Sequence, residues 1–167
     1  MNPITIYIIA AVVGLWIVLF IIFMIINSKR KAKAGNFAKA NEDKAVIHLY
    51  CKNISIDNRK ISEFSPITGE NLEKVVALDP GNHSFEGIFQ STDIGLGTNK
   101  NLESEKVEFE LYLEKRHTYS AAMYLYSPED RKSYYNGDVG KDILTIPLSI
   151  SENSKHISAY IICYEED

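Results

Sequence analysis

Cysteine is almost missing. Cys51 and Cys163 are the only two thiols in 167 residues, which excludes a disulfide framework and leaves a reduced pair or a single bridge. Histidine occurs singly, at His48, His83, His117 and His156, with no second ligand at the spacing that zinc sites use. A complete Walker loop is lacking as well. Gly95 to Lys100 reads GLGTNK, without the strand-to-helix setting that would aim backbone amides at a phosphate. There is no nucleophile elbow, and Asp138 to Asp142, DVGKD, has too few carboxylates for a calcium loop. The sequence therefore names no catalytic residue, no metal and no cofactor, and the expectation is a protein that is not an enzyme.

Charge is absent from Ile4 to Ile26, and Asn27 is the first strongly polar side chain after that run. Roughly 20 apolar helical residues at about 1.5 Å each span a hydrocarbon core of about 30 Å, so residues 1–28 are expected to form a transmembrane helix. A cleaved signal peptide would carry positive charge before a shorter apolar core, whereas the leader MNP has only the terminal amine. The Ala32 to Gly35 stretch AKAG mimics a cut site, but it follows Lys29, Arg30 and Lys31. Basic residues resist translocation. Lys29, Arg30, Lys31 and Lys33 all flank the C-terminal end of the run, which predicts an outside N-terminus and a cytoplasmic body. Within the span, Ala10 and Gly14 make one small-xxx-small pair that permits helix–helix contact.

Positive charge is scarce beyond this flank. Up to Lys44 the chain has six basic and two acidic residues, and past it 12 basic and 20 acidic. An acidic body excludes a nucleic-acid surface, which needs the opposite sign. Residues 29–44 are Ala- and Lys-rich and read as a basic juxtamembrane linker, helical at first and then a tether.

From Ala45 the period becomes two. Ala45, Ile47, Leu49 and Cys51 alternate with Val46, His48 and Tyr50, and Val107, Phe109, Leu111 and Leu113 alternate with Glu108, Glu110, Tyr112 and Glu114; each set is a strand with one buried face. This alternation puts Glu108 and Glu110 on a solvated face, without a catalytic role. Further short strands are separated by turn-formers at Asp57-Asn58, Ser65-Pro66, Pro80-Gly81, Ser127-Pro128 and Asn136-Gly137. At Pro80-Gly81, Pro sets φ at the second turn position and Gly supplies the positive φ of a type II turn at the third. About seven to nine strands and no convincing amphipathic helix predict an all-β domain over 45–167, an antiparallel sandwich. Residues 91–104 read as the longest loop. Ile157, Ala159, Ile161 and Cys163 share a face, so both thiols are expected to be buried and free. They would lie close if the first and last strands are neighbours, as would His48 and His156.

The segment ALDPGNHSFEGIF, followed by VEFELYLEKRHTYSAAMYLY, resembles the second half of the small transthyretin-like and PEGA-type β-sandwich modules of bacterial envelope proteins. Leu78, Pro80, Gly81, His83 and Phe85 carry the first part of the resemblance, and Leu113 and Tyr119 the second. The resemblance implies an Ig/transthyretin-like sandwich. Such modules stand outside the cytoplasm, whereas the basic flank places this body inside.

Tyrosine is the component present in excess. Tyr112, Tyr124, Tyr126, Tyr134 and Tyr135 fall within one stretch, and exposed tyrosines bury a large area on contact with little rotamer loss. They form the candidate interaction surface. The expectation is a single-pass, membrane-anchored module that contacts the lipid bilayer and a protein partner in a membrane complex. The alternative is an extracytoplasmic module that binds a sugar or peptide.

Overall fold

The computed structural model describes residues 2–94, 99–152 and 155–166, with side chains described except over 93–100 and 151–156. Helix α1 spans Pro3–Ala40. Asn2 caps it, its side chain accepting from the Ile4 amide at 3.1 Å, and Pro3 follows where a missing N–H costs nothing. At 38 residues the helix is about 57 Å long. Its apolar part is wholly exposed, and it is long and apolar enough to cross a membrane.

The expected tether is not there. α1 continues without a break past residue 28 to Ala40, because Ala, Lys and Arg are good helix formers and only Gly35, Asn36 and Phe37 among residues 29–40 are poorer ones. Asn27, Arg30, Ala34, Phe37 and Ala38 are half-buried. Their spacing of three and four puts them on one helix face, and that face lies against the β domain. Asn27 Nδ2 donates to Glu70 Oε1 at 3.3 Å, and Lys31 Nζ is 3.9 Å from Glu70 Oε2.

Beyond α1 come ten strands among the described residues: β1 (Ala45–Leu49), β2 (Cys51–Ile56), β3 (Arg59–Lys60), β4 (Ile67–Thr68), β5 (Lys74–Leu78), β6 (Gly81–Ile94), β7 (Asn99–Leu113), β8 (Thr118–Tyr124), β9 (Lys141–Glu152) and β10 (Lys155–Glu165). One sheet has the order β4-β5-β1-β8-β10-β9 and the other β3-β2-β6-β7. Every pairing is antiparallel except β1 with β8, which is parallel, with Ile47 opposite Tyr119. That pair corrects the purely antiparallel expectation. The chain switches sheets at Tyr50, so Cys51 opens β2 and does not continue β1.

The two sheets bury one apolar core. Ile47, Leu49, Val76, Ala121, Ile161 and Cys163 meet Ile56, Phe85, Phe89, Phe109 and Leu113. Phe85 and Phe109 are register partners on β6 and β7, and their rings stack at 5.4 Å. Val46, Val75, Ser120 and Ile162 are buried too but fall outside that core, on the other face of the first sheet. Two helices cover this face: the C-terminal part of α1 beside Val46 and His48 of β1, and a short helix, α2 (Pro128–Tyr134), whose Arg131 reaches Tyr124 of β8, Tyr164 of β10 and Asp142 of β9. This second layer is why Val46 is buried where alternation predicted exposure.

Several turns are as expected. Asp57 and Asn58 have φ of 51° and 59°, the pair of positive values that a two-residue I′ hairpin needs. Gly81 has a positive φ of 143°, but it is already the first residue of β6, paired with Leu113. His83 clamps this corner, with Nδ1 2.8 Å from Asp57 Oδ2 and Nε2 2.7 Å from the Asp79 carbonyl. The loop expected over 91–104 is mostly strand: residues 91–94 and 99–104 pair as the arms of the β6–β7 hairpin. Of GLGTNK, Gly95 to Thr98 lie outside the described residues.

Candidate interaction surface

The surface is organised by α2 (Pro128–Tyr134), a helix that the sequence reading missed. Ser127 is its N-cap and accepts from the Asp130 amide at 3.1 Å. Pro128 occupies the first turn with Glu129 and Asp130, where carboxylates suit the helix dipole. At the other end Asn136 and Gly137 have φ of 55° and 87°, and the Gly137 amide donates to the Lys132 carbonyl at 2.8 Å, closing the helix. Ser127-Pro128 and Asn136-Gly137, read as turns, are the two caps of one short helix. The signal for it was a cap residue, Pro, two acids and a trailing Asn-Gly within eleven residues.

Arg131 is the inward-facing residue of α2 and is only 2% exposed. Its Nη1 donates to Asp142 Oδ1 at 2.8 Å and its Nη2 to the Val139 carbonyl at 2.7 Å. Its guanidinium lies 5.0 Å from the Tyr124 ring centre and 4.0 Å from that of Tyr164. These contacts join α2 to β8, β9 and β10. Nε alone has no hydrogen-bond partner; the flat cation lies over two aromatic faces, which stabilise it electrostatically. Gly140 makes the approach possible: its φ is 66°, and a Cβ there would lie 2.1 Å from the Glu165 carbonyl oxygen.

Four of the five expected tyrosines come together around this anchor. Tyr124 and Tyr126 have ring centres 5.5 Å apart, Tyr126 and Tyr134 6.1 Å, and Tyr134 and Tyr135 4.9 Å. The series runs from the half-buried Tyr124 out to Tyr134, which is 75% exposed. Burial pushes the Tyr126 hydroxyl up to about 12, helped by Tyr135, and burial raises Tyr124 further. Tyr124 and Tyr126 are therefore neutral contact groups at physiological pH. Tyr112 stands apart. It is exposed on β7 in the second sheet and has no ring contact with the other four among the described residues. Tyr164 and Arg131, which complete the cluster, were not singled out from the sequence. A cavity of about 310 Å³ opens beside it, lined by Tyr124, Arg131, Tyr135, Val139, Tyr164 and Glu166 among others.

The remaining candidates have structural settings. Lys29, Lys31 and Lys33 are exposed on α1, and Arg30 is half-buried on its domain-facing side. Ala10 and Gly14 are exposed on the apolar part, with nothing within 4 Å of a Cβ built at Gly14. Cys51 and Cys163 are both free; Cys163 is buried as expected, whereas Cys51 is half-buried at the start of β2. Burial pushes each thiol up to about 12, so neither is a nucleophile at neutral pH. His48 faces Glu73, Nδ1 to Oε1 3.3 Å. β8 separates its strand from β10, so the first and last strands are not neighbours; the side chain of His156 lies outside the described residues.

Comparison with protein-family models, with curated proteins and with solved structures gives no match for this chain.

Proposed function

We propose that the chain is a single-pass membrane protein whose β domain is a non-enzymatic docking module for a protein of the same membrane complex. In this reading Ile4 to Ile26 lie in the bilayer, and the Lys29–Lys33 cluster holds the domain on the cytoplasmic side. The observation that carries the docking role is the ring series from Tyr124 to Tyr135, closed on its inner side by buried Arg131 and open on its outer side at Tyr134. Rigid aromatics anchored at one edge and bare at the other are the residues that dominate protein interfaces.

A photo-crosslinking amino acid at position 134, in native membranes, should capture one stoichiometric partner that also copurifies in mild detergent; the same probe at position 112 should not. A chain that stays monomeric in native membranes and crosslinks to nothing from position 134 would refute the docking role. A reporter fused after Asp167 reads the orientation separately.

One observation favours a second reading. The cavity beside Arg131 combines three tyrosines with two carboxylates, a lining that suits a sugar ring, and an extracytoplasmic sandwich of the transthyretin-like or PEGA kind would use it. Protease accessibility of the domain in intact cells distinguishes the two, because the second reading requires exposure.

A further inference from the structure

The turn between β4 and β5, Gly69 to Glu73, carries the apolar residue Leu72 at its tip, 64% exposed and with a φ of 67°. Leucine gains nothing from the left-handed region, which glycine or asparagine adopts at lower steric cost. A singly exposed apolar residue is ordinary, but one held at positive φ in a turn that is itself fixed in place raises the question of what it meets.

The turn is rigid and fixed to α1. The Asn71 amide donates to Glu73 Oε2 at 2.8 Å, and the Gly69 amide to the Glu73 carbonyl at 3.0 Å. The buried Glu73 carboxylate fills the space where Gly69 lacks a side chain. Glu70 accepts from Asn27 and faces Lys31. Asn27 is the residue directly after the uncharged run, about 1.5 Å further along the helix axis than Ile26. Leu72 is two positions after Glu70, so their Cα atoms are within about 7 Å of each other. The turn is thus held near the point where the apolar run of α1 ends.

We infer that Leu72 inserts into the lipid surface at the acyl–headgroup boundary, so that the domain rests on the bilayer at the Gly69–Glu73 turn as well as hanging from α1. This rests on the reading of α1 as a membrane span. Exposed Lys29 and Lys33, within two turns of Asn27 on the same helix, supply the cationic rim that anionic headgroups favour.

The test uses fluorescence of the full chain in anionic phospholipid vesicles. The native indole, Trp16, lies inside the apolar run and reports insertion of α1. Leu72→Trp in a Trp16→Phe background reports the turn, and Ser62→Trp in the same background is a solvent control on the exposed 3-10 turn (Ile61–Phe64) near the far end of α1. The expected result is a blue-shifted indole at position 72 that loses most of its emission to lipids brominated near the headgroup and resists iodide. The control should be quenched by iodide alone. If position 72 behaves like the control while Trp16 is quenched by brominated lipid, the inference fails and the anchor stands. If position 72 is shielded from both quenchers, protein covers it and the inference also fails. If Trp16 itself escapes brominated lipid, the membrane reading fails and takes this inference with it.

Discussion

The guanidinium carbon of Arg131 sits 4.0 Å from the centre of the Tyr164 ring, while its Nη1 is 2.8 Å from Asp142 Oδ1. One side chain therefore ties α2 to two strands of the first sheet and sets the pose of the tyrosines above it. Removing one member of a buried ion pair leaves the other desolvated without compensation, at about 3–5 kcal/mol. Lys132 Nζ, 3.8 Å from Asp142, offsets part of that. Arg131→Ala is expected to lower the unfolding free energy by about 3 kcal/mol in urea melts. Arg131→Lys should recover less than half, because an ammonium lacks the planar fork that serves Asp142 and Val139 together. Unchanged melts for both variants would mean that the cluster is held by other contacts.

A second fixed point is the corner between β7 and β8. The Glu114 amide donates to the Tyr119 hydroxyl at 2.9 Å, and Tyr119 is buried where β8 pairs with β1. Tyr119→Phe keeps the ring and removes the acceptor. Glu114 is exposed, so water can replace the lost partner, and the expected cost is about 1 kcal/mol. Tyr119→Ala adds a cavity beside Ala121 and Met123 and should cost about 3–5 kcal/mol. The two variants together separate hydrogen bond from packing.

The thiols and phenols give the domain an alkaline limit. Burial raises Cys51 and Cys163 from 9.0 to about 12, and Tyr50 and Tyr126 from 10.0 to about 12. The folded chain keeps these protons over a range where the unfolded chain releases them. Unfolding is therefore favoured as pH rises, and the loss of stability begins near pH 9 and is complete near pH 12. Urea midpoints should fall steadily from pH 9 upward and be flat just below it. At neutral pH, a thiol reagent should leave both cysteines of the folded chain unmodified and label both after denaturation; fast labelling of the native chain would contradict their burial.

The alternation in β1 and along the second half of β7 made the β domain legible, because period two with one apolar face has few other outcomes. The parallel β1–β8 pair was not legible. Side-chain alternation fixes which face is buried but does not say in which direction the neighbouring strand runs. The β6–β7 hairpin was cut short because its outer arms, residues 91–94 and 99–101, pair as a ladder without an apolar period, even though Leu102 and Ser104 just inside them are buried. Tyr126, Tyr134 and Tyr135 could be picked out by number alone. Arg131 could not, since nothing local distinguishes a buried arginine from the exposed Lys132 beside it.

Charge ends a membrane span without ending a helix: α1 runs on to Ala40 where a tether was expected to follow a short helical start, and this difference can be tested by proteolysis. A flexible tether containing Lys29, Arg30, Lys31, Lys33 and Lys39 would be cut by trypsin as fast as an unfolded peptide. A docked helix is cut only from its opened form, at a rate set by the population of that form when reclosing is fast. The vesicle-bound chain is therefore expected to resist trypsin across residues 29–40. Ala34→Gly, on the face that meets the domain, weakens the helix by about 1 kcal/mol, which raises the opened population and the cutting rate roughly fivefold. Phe37→Ala, which removes a half-buried ring from the same face, should act in the same direction without altering the exposed lysines. Wild-type cleavage as rapid as that of a denatured control, with no acceleration in either variant, would restore the tether and detach the domain from the helix.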